Sequence, residues 1–177
     1  GAVSLPSAPA GARGTLVPTP PNCLHDHVLI LHTSGTTGEA KRVPFSLHRL
    51  LASGDALARS LSLSARDLGL NMMPLHHVGG IANNLMAVLV SGGRMLYAPR
   101  FDAAEWFAYV DRKSRPGEEA QTITWCYAVP AMWQQLLQHG QQLPPQNRPD
   151  LRVLRSGAAA LPHSVAVGLA RLFPQSC

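Results

Sequence analysis

The chain has 177 residues, of which 46% are hydrophobic and 14% are charged, and this composition is typical of a globular protein rather than a disordered one. The net charge of +5 comes from scattered basic residues, mostly arginine, so the sequence has no basic stripe for nucleic acid. No apolar run approaches the roughly 20 residues that a transmembrane helix needs.

Residues 1–24 are rich in Ala, Pro, Gly and Ser, and we interpret them as a linker or a poorly ordered lead-in. Strand and helix patterns alternate over the remaining residues, 25–177. The predicted strands are 28–32, 68–72, 94–98, 121–127 and 151–155, and the predicted helices are 45–61, 80–90, 102–112, 130–139 and 162–172. This alternation predicts an α/β fold with a mainly parallel sheet flanked by helices. Because ligands of such sheets gather at the carboxyl ends of the strands, the chemistry is expected in the segments that follow strands.

The first such segment is TSGTTGEAK, residues 33–41, which follows an apolar run and precedes a helical pattern. We therefore expect it to leave a buried strand and to enter a helix. Its glycines allow a ligand to come close to the backbone, its hydroxyls and backbone N–H groups are donors, and Lys41 adds a positive charge. Donors that converge beside a cation suit a polyphosphate. The spacing is not that of a Walker A loop, and an ordinary polar turn is the alternative.

The order of residues in this loop resembles the phosphate loop of the adenylate-forming superfamily, which includes acyl-CoA synthetases, luciferases and the adenylation domains of peptide synthetases. The family usually has proline where this chain has Ala40. Residues 41–44, Lys-Arg-Val-Pro, are similar to the branch that contains oxalate–CoA ligase. The resemblance implies that the phosphates of ATP are held by the hydroxyl and glycine positions of the loop and by its lysine: Thr33, Ser34, Gly35, Thr36, Thr37, Gly38 and Lys41.

The second segment, PLHHVGG at residues 74–80, places two adjacent histidines before two glycines. Adjacent residues rarely point at one ion, so no metal site is predicted, and a pair of ordinary turn histidines is the alternative. The segment resembles the motif that lines the acyl pocket of the same family. That resemblance places His77, as the catalytic residue, beside the reacting carboxylate and the α-phosphate. It also implies that Gly79 and Gly80 leave space for the substrate.

The third segment, LRSGAAALP at residues 154–162, follows a strand with a run of small residues. A simple strand-to-helix turn is the alternative interpretation. The segment resembles the part of the family that lies under the adenine, which implies that Gly157, Ala158 and Ala159 support adenine and that Ser156 borders the substrate pocket. The stretch WCYAVPAMWQ, residues 125–134, resembles the oxalate–CoA ligase branch as well, with Tyr127 and Trp133 expected in the core or the pocket wall.

Three motifs in this order imply the central part of the N-terminal adenylation domain of an ATP-dependent acid–thiol ligase. In such an enzyme a carboxylate attacks the α-phosphate of ATP to give acyl-AMP and pyrophosphate, and a thiol then takes the acyl group. The implied partners are ATP, Mg²⁺ with its ligand outside this segment, coenzyme A, a small carboxylic acid, and either the rest of the same polypeptide or a larger assembly. A catalytically inactive scaffold and an ATP-binding regulatory module are the alternatives.

The three cysteines, Cys23, Cys126 and Cys177, have an odd count and no metal-ligand spacing. This pattern favours reduced thiols over a disulfide framework, and hence an intracellular protein of the cytoplasm or of an organelle. Cys126 lies in an apolar segment and is expected to be a buried small side chain.

Overall fold

The computed structural model describes residues 26–32, 40–111, 122–144 and 151–176. Four of the described strands form a parallel sheet in the order β4-β3-β5-β6. These strands are β3 (Leu68–Asn71), β4 (Arg94–Tyr97), β5 (Trp125–Ala128) and β6 (Val153–Ser156). The two earlier strands, β1 (His27–His32) and β2 (Arg42–Ser46), form a separate antiparallel pair.

Five α-helices of the described residues flank the parallel sheet: α1 (Leu47–Ser60), α2 (Met86–Ser91), α3 (Ala103–Val110), α4 (Pro130–Gly140) and α5 (His163–Leu172). A π-helix, Gly79–Leu85, leads directly into α2. The α/β fold with a mainly parallel sheet is therefore confirmed. None of the helices in the described ranges is long and apolar enough to cross a membrane.

The alternation of side chains along β5 divides the core into two layers. Cys126 and Ala128 belong to the larger cluster, which α3, α4 and α5 cover with buried side chains such as Trp106 and Trp133. Trp125 and Tyr127 point to the other face of the sheet, where Val88 of α2 lies in the same cluster. Because side chains alternate across a strand, a central strand buried on both faces is apolar at every position.

The structure corrects two expectations about the segment before α1. Residues 45 and 46, predicted as the start of a helix, are the last residues of β2, and α1 begins only at Leu47. The loop at 33–41 therefore joins two antiparallel strands, with His32 paired to Arg42 at its base, and does not run from a strand into a helix. Nor is β1 buried, since Val28 and Ile30 are 53% and 52% exposed. Pro44 of β2 pairs with Ile30 of β1, and a proline is tolerated there because it is compatible with an edge strand.

A buried carboxylate ties together the amino ends of the parallel strands. Asp67, immediately before β3, accepts hydrogen bonds at Oδ1 from Thr124 Oγ1 (2.8 Å) and Arg152 Nη2 (2.8 Å). Its Oδ2 accepts from the backbone N–H of Ser64 (2.9 Å). Burial by itself raises the pKa of the Asp67 carboxyl, but the bonds from Arg152, Thr124 and Ser64 outweigh it and lower the pKa below its usual value. The residues before β3, β5 and β6 are thus joined through one side chain.

We predict that Asp67→Asn lowers the free energy of unfolding at pH 7 by about 2 kcal/mol, because the charge-assisted hydrogen bonds are lost. A lowered pKa in the folded state means that this stabilisation is present above the pKa of an unfolded aspartate, about 4, and is lost as the pH falls further. Urea denaturation between pH 7 and pH 3 measures both effects. The matched control is Asp55→Asn, which removes an exposed ion pair with Arg59 and should cost less than about 0.5 kcal/mol. Equal losses for the two variants would contradict a structural role for Asp67.

Candidate active site

Two of the three motif segments meet at the carboxyl edge of the parallel sheet. The register pairs Leu70 with Cys126 and Ala128 with Ser156, so β3, β5 and β6 end side by side. The residues that follow β3 and β6 are the histidine segment and the small-residue segment. Their predicted position at one edge is therefore confirmed. The phosphate-loop residues 33–39 lie outside the described part of the chain.

The turn that carries the histidines is held by two buried asparagines. Asn71, at the end of β3, bonds through its side chain to both backbone groups of Met73: its Oδ1 accepts from the Met73 N–H (3.0 Å) and its Nδ2 donates to the Met73 carbonyl (3.1 Å). Asn84 Nδ2, from the π-helix, donates to the same Oδ1 at 2.6 Å. Both side chains are almost fully buried. These bonds fix the start of the turn against the π-helix, while Asn84 Oδ1 is buried without a partner among the described residues.

His76 and His77 are both exposed at the rim of the sheet edge. The backbone of His77 is well held: its N–H donates to the Pro74 carbonyl (3.1 Å) and its carbonyl accepts from the Gly80 N–H (3.1 Å) at the start of the π-helix. The two imidazole rings lie with their centroids 4.4 Å apart. The rings therefore lie side by side at the rim, tilted by 46° to each other. No group of three His, Cys, Asp or Glu side chains in the described ranges is arranged to hold a metal ion.

Tyr127 connects the histidine segment to the small-residue segment. It is 2% exposed and is the second-last residue of β5, next to the carboxyl edge of the sheet. A Cβ atom placed on Gly79 would lie 3.1 Å from the Tyr127 ring, and one placed on Gly157 would lie 2.8 Å from it. A side chain at Gly157 would therefore require the Tyr127 ring to move, whereas one at Gly79 would require a shift of only a few tenths of an ångström. The space beside Gly79 is filled by Tyr127, and a Cβ on Gly80 would collide with the Pro74 carbonyl oxygen.

The small-residue segment is strained at one position. Ala158 has a φ of 70°, in the left-handed region that an alanine adopts at a cost of about 1 kcal/mol. Ala158 and Ala159 are exposed beyond the sheet edge. Strained residues of this kind concentrate at ligand sites, which agrees with the predicted role of the segment.

Ser156 is not brought into the cluster around Tyr127. Its side chain lines a separate apolar cavity of about 150 Å³, together with Trp133, Leu161 and Ala166, on the α4–α5 side of the sheet. The Ser156 hydroxyl is buried and has no hydrogen-bond partner among the described residues. Sequence alternation could have predicted this, because Ser156 and Arg155 are neighbours on a strand and face opposite sides.

Lys41 lies at the base of the β1–β2 loop and is exposed. The hairpin that carries it packs against the π-helix through Leu29 and Phe45, which contact a cluster that contains Ala82. These two residues pair near the end of the hairpin opposite the loop, whose base is the His32–Arg42 pair. Cys126, in contrast, is a core residue, as predicted. It accepts a hydrogen bond from Trp106 Nε1 (3.2 Å), and burial raises the pKa of its thiol to about 12.

Sequence analysis did not identify Asn71, Asn84 or Arg155. A buried asparagine has no sequence signature of its own, because its role depends on partners that it meets only in the folded chain. Arg155 lies within the segment 154–162, and a charged residue in an otherwise apolar strand was a signal that could have been used.

Comparison with known proteins places the chain in a family. Residues 3–177 match the model of the family described as AMP-binding enzyme. The chain is 34% identical over 161 residues to the sulfoacetate–CoA ligase of Cupriavidus necator, a match that covers 90% of this chain and 29% of the relative. It is 31% identical over 153 residues to the malonate–CoA ligase of Arabidopsis thaliana (80% of this chain, 25% of the relative). It is also 32% identical over 138 residues to the oxalate–CoA ligase of the same plant (77% and 25%).

Solved structures have the same fold. A malonyl-CoA ligase in a ternary product complex with methylmalonyl-CoA and AMP superposes with a TM-score of 0.73 and 25% identity, covering 85% of this chain and 31% of that one. The o-succinylbenzoate coenzyme A synthetase of Bacillus subtilis, in complex with AMP, gives a TM-score of 0.69 and 22% identity over 86% of this chain and 29% of that one. The chain thus spans less than a third of each relative and structure named above. With a family model that matches nearly its whole length, the chain belongs to the AMP-binding enzyme family.

Proposed function

We propose that the chain is part of an ATP-dependent acid–thiol ligase that activates a small carboxylic acid as acyl-AMP and passes the acyl group to a thiol, with coenzyme A as the acceptor. The observation that carries this proposal is the meeting of the histidine segment and the small-residue segment around Tyr127, at one edge of a parallel sheet. The relatives named above support it, since each is a ligase that joins a small acid to coenzyme A.

In the first step the oxygen of the substrate carboxylate bonds to the α-phosphorus of ATP, the α–β phosphoanhydride bond breaks, and pyrophosphate leaves. The carboxylate and the triphosphate repel each other, so the site must bring like charges together and stabilise them by preorganised donors. Residues 33–38 and Lys41 are proposed to hold the phosphates, and Gly157, Ala158 and Ala159 to support the adenine. His77, which is exposed at the rim, is proposed to donate a hydrogen bond to the charge that develops on the reacting groups.

In the second step the sulfur of the thiol attacks the acyl carbon and AMP leaves. ATP chemistry of this kind uses Mg²⁺, which neutralises phosphate charge. From the family resemblance we propose that its ligand lies outside this segment, and we assign no step to it.

The proposal predicts that the full-length protein exchanges labelled pyrophosphate into ATP in a reaction that depends on a small carboxylic acid. The 177-residue chain alone should not do so, because the proposed ligand of Mg²⁺ lies elsewhere. Exchange by the isolated chain would contradict our account of what it lacks. Absence of exchange by the full-length protein over a broad panel of small acids would favour the inactive scaffold instead.

Lys41 provides a test of the phosphate loop. The Lys41 side chain is exposed. In the absence of ligand, Lys41→Ala should therefore change the melting temperature of the full-length protein as little as an ordinary surface substitution does. ATP, which binds only the folded state, should raise the melting temperature of the wild type and raise that of the variant clearly less. Arg42→Ala is the matched control, since Arg42 is the adjacent exposed basic residue. The assignment fails if Lys41→Ala responds to ATP as the wild type does.

His77→Ala should lower the adenylation rate at saturating ATP by about a hundredfold, the usual cost of losing one preorganised donor to developing charge. His76→Ala should cost less, because its ring contacts the His77 ring and is proposed to support it rather than to touch the reacting atoms. Single-turnover formation of acyl-AMP by the two variants measures the difference. A larger loss at His76 would show that the neighbouring imidazole is the donor.

A further inference from the structure

Arg155 is a cation at the inner end of the candidate site. It lies on β6, paired in the sheet with Tyr127 of β5, and its guanidinium carbon is 4.8 Å from the centroid of the Tyr127 ring. Its backbone is fixed as well, because its carbonyl accepts a hydrogen bond from Trp133 Nε1 at 3.3 Å. The ring contact thus positions the side chain, and the hydrogen bond from Trp133 positions the backbone.

The charge of Arg155 is not balanced by the described part of the chain. Its Nη1 is buried and has no hydrogen-bond partner there. The ion pairs among described residues use Arg59, Arg100 and Arg152 instead. A guanidinium does not lose its proton in proteins, so it cannot become neutral to avoid the cost of burial. Stacking on Tyr127 offsets only part of that cost, and an anion that accepted hydrogen bonds from the guanidinium would offset more of it.

The position of this cation relative to His77 is set by contacts already described. The Tyr127 ring touches the Gly79 position, two residues after His77, and carries Arg155 against its face. Tyr127 also packs beside both glycines on this side of the site. An acid whose reacting carboxylate lay near His77 and whose chain ran along the Tyr127 ring would present its far end to the guanidinium.

We propose that Arg155 binds a second anionic group of the substrate acid, a carboxylate or a sulfonate, and that Tyr127 limits the length of the acid. Arg155 is thus a specificity-determining residue, and the substrate class is that of short acids with an anionic group at each end. This assignment rests on the proposed function. A planar guanidinium with two N–H groups in parallel is suited to recognise either anion in bidentate fashion.

Two other partners of Arg155 predict different behaviour. If the guanidinium bound a phosphate of ATP, its loss would weaken ATP binding equally with every acid. If it paired with a carboxylate elsewhere in the same polypeptide, its loss would lower stability and activity without changing the preference among acids. Only an acid-binding role changes discrimination between acids of equal length.

The test compares malonate with propionate, and succinate with butyrate, as substrates of the full-length protein. Each pair has the same number of carbons and differs in the second carboxylate. We expect the wild type to favour the diacid of each pair in kcat/KM for acyl-AMP formation. Arg155→Gln should lower kcat/KM for the diacids by about a hundredfold, the usual effect of truncating one partner of a buried charge pair, and should change that for the monoacids less than threefold. Arg94→Gln is the control, because Arg94 is an exposed arginine at the opposite end of the sheet.

If Arg155→Gln does not fold, Arg155→Lys keeps the charge and loses only the bidentate geometry, so it should reduce the preference for diacids without removing it. Equal losses for mono- and diacids, a higher KM for ATP with unchanged acid preference, or a wild type that favours monoacids would each overturn the assignment. If the full-length protein forms acyl-AMP with any acid, the proposed function stands, and these outcomes contradict only the assignment of Arg155. If the full-length protein forms acyl-AMP with no acid, the proposed function fails and the assignment fails with it.

Discussion

The arrangement of the site depends on the packing of Tyr127 between two glycines. The parallel register of β3, β5 and β6 ends these strands at one edge, but register alone does not fix the loops that follow. Tyr127 contributes to fixing them, since its ring packs closely on both the Gly79 and the Gly157 positions, with the tighter approach at Gly157. A larger residue at either glycine would displace one loop from the other, and the histidine rim and the small-residue segment would lose their common support.

The two ends of the sheet serve different purposes. At the amino ends, Asp67 joins the residues before β3, β5 and β6 through hydrogen bonds to Arg152 and Thr124. At the carboxyl ends Asn71 is buried and hydrogen-bonded, whereas His77 is exposed, Ala158 is strained, and Arg155 Nη1 is buried without a partner among the described residues. Strained and unsatisfied groups cost free energy and are found at functional sites more often than elsewhere. These features support the proposal that the ligand site lies at the carboxyl edge.

Much of this could be predicted from sequence. The alternation of apolar strands with amphipathic helices predicted the parallel sheet, because each period reflects which side chains are buried. The antiparallel strand β2 was missed, since Pro44 and the exposed Arg42 hid a strand pairing that depends on β1. The asparagine pair and the Asp67 network were also beyond reach, as their members lie up to 85 positions apart and meet only in the folded chain. Tyr127 could be placed in the core or the pocket wall, but its contact with two glycines from other segments depends on three-dimensional packing.

The π-helix Gly79–Leu85 has a consequence for how relatives of this chain can diverge. Its hydrogen bonds span one more residue than those of an α-helix, so the segment behaves as an α-helical turn with an insertion. Loss of one residue would allow the segment to form a regular α-helix. The residues that immediately precede it would then be rotated by about 100° around the helix axis, because an α-helix has 3.6 residues per turn. A different side chain would then take the place of His77 at the rim. A single-codon deletion here, with every other letter kept, would therefore change which group this segment presents at the edge of the sheet.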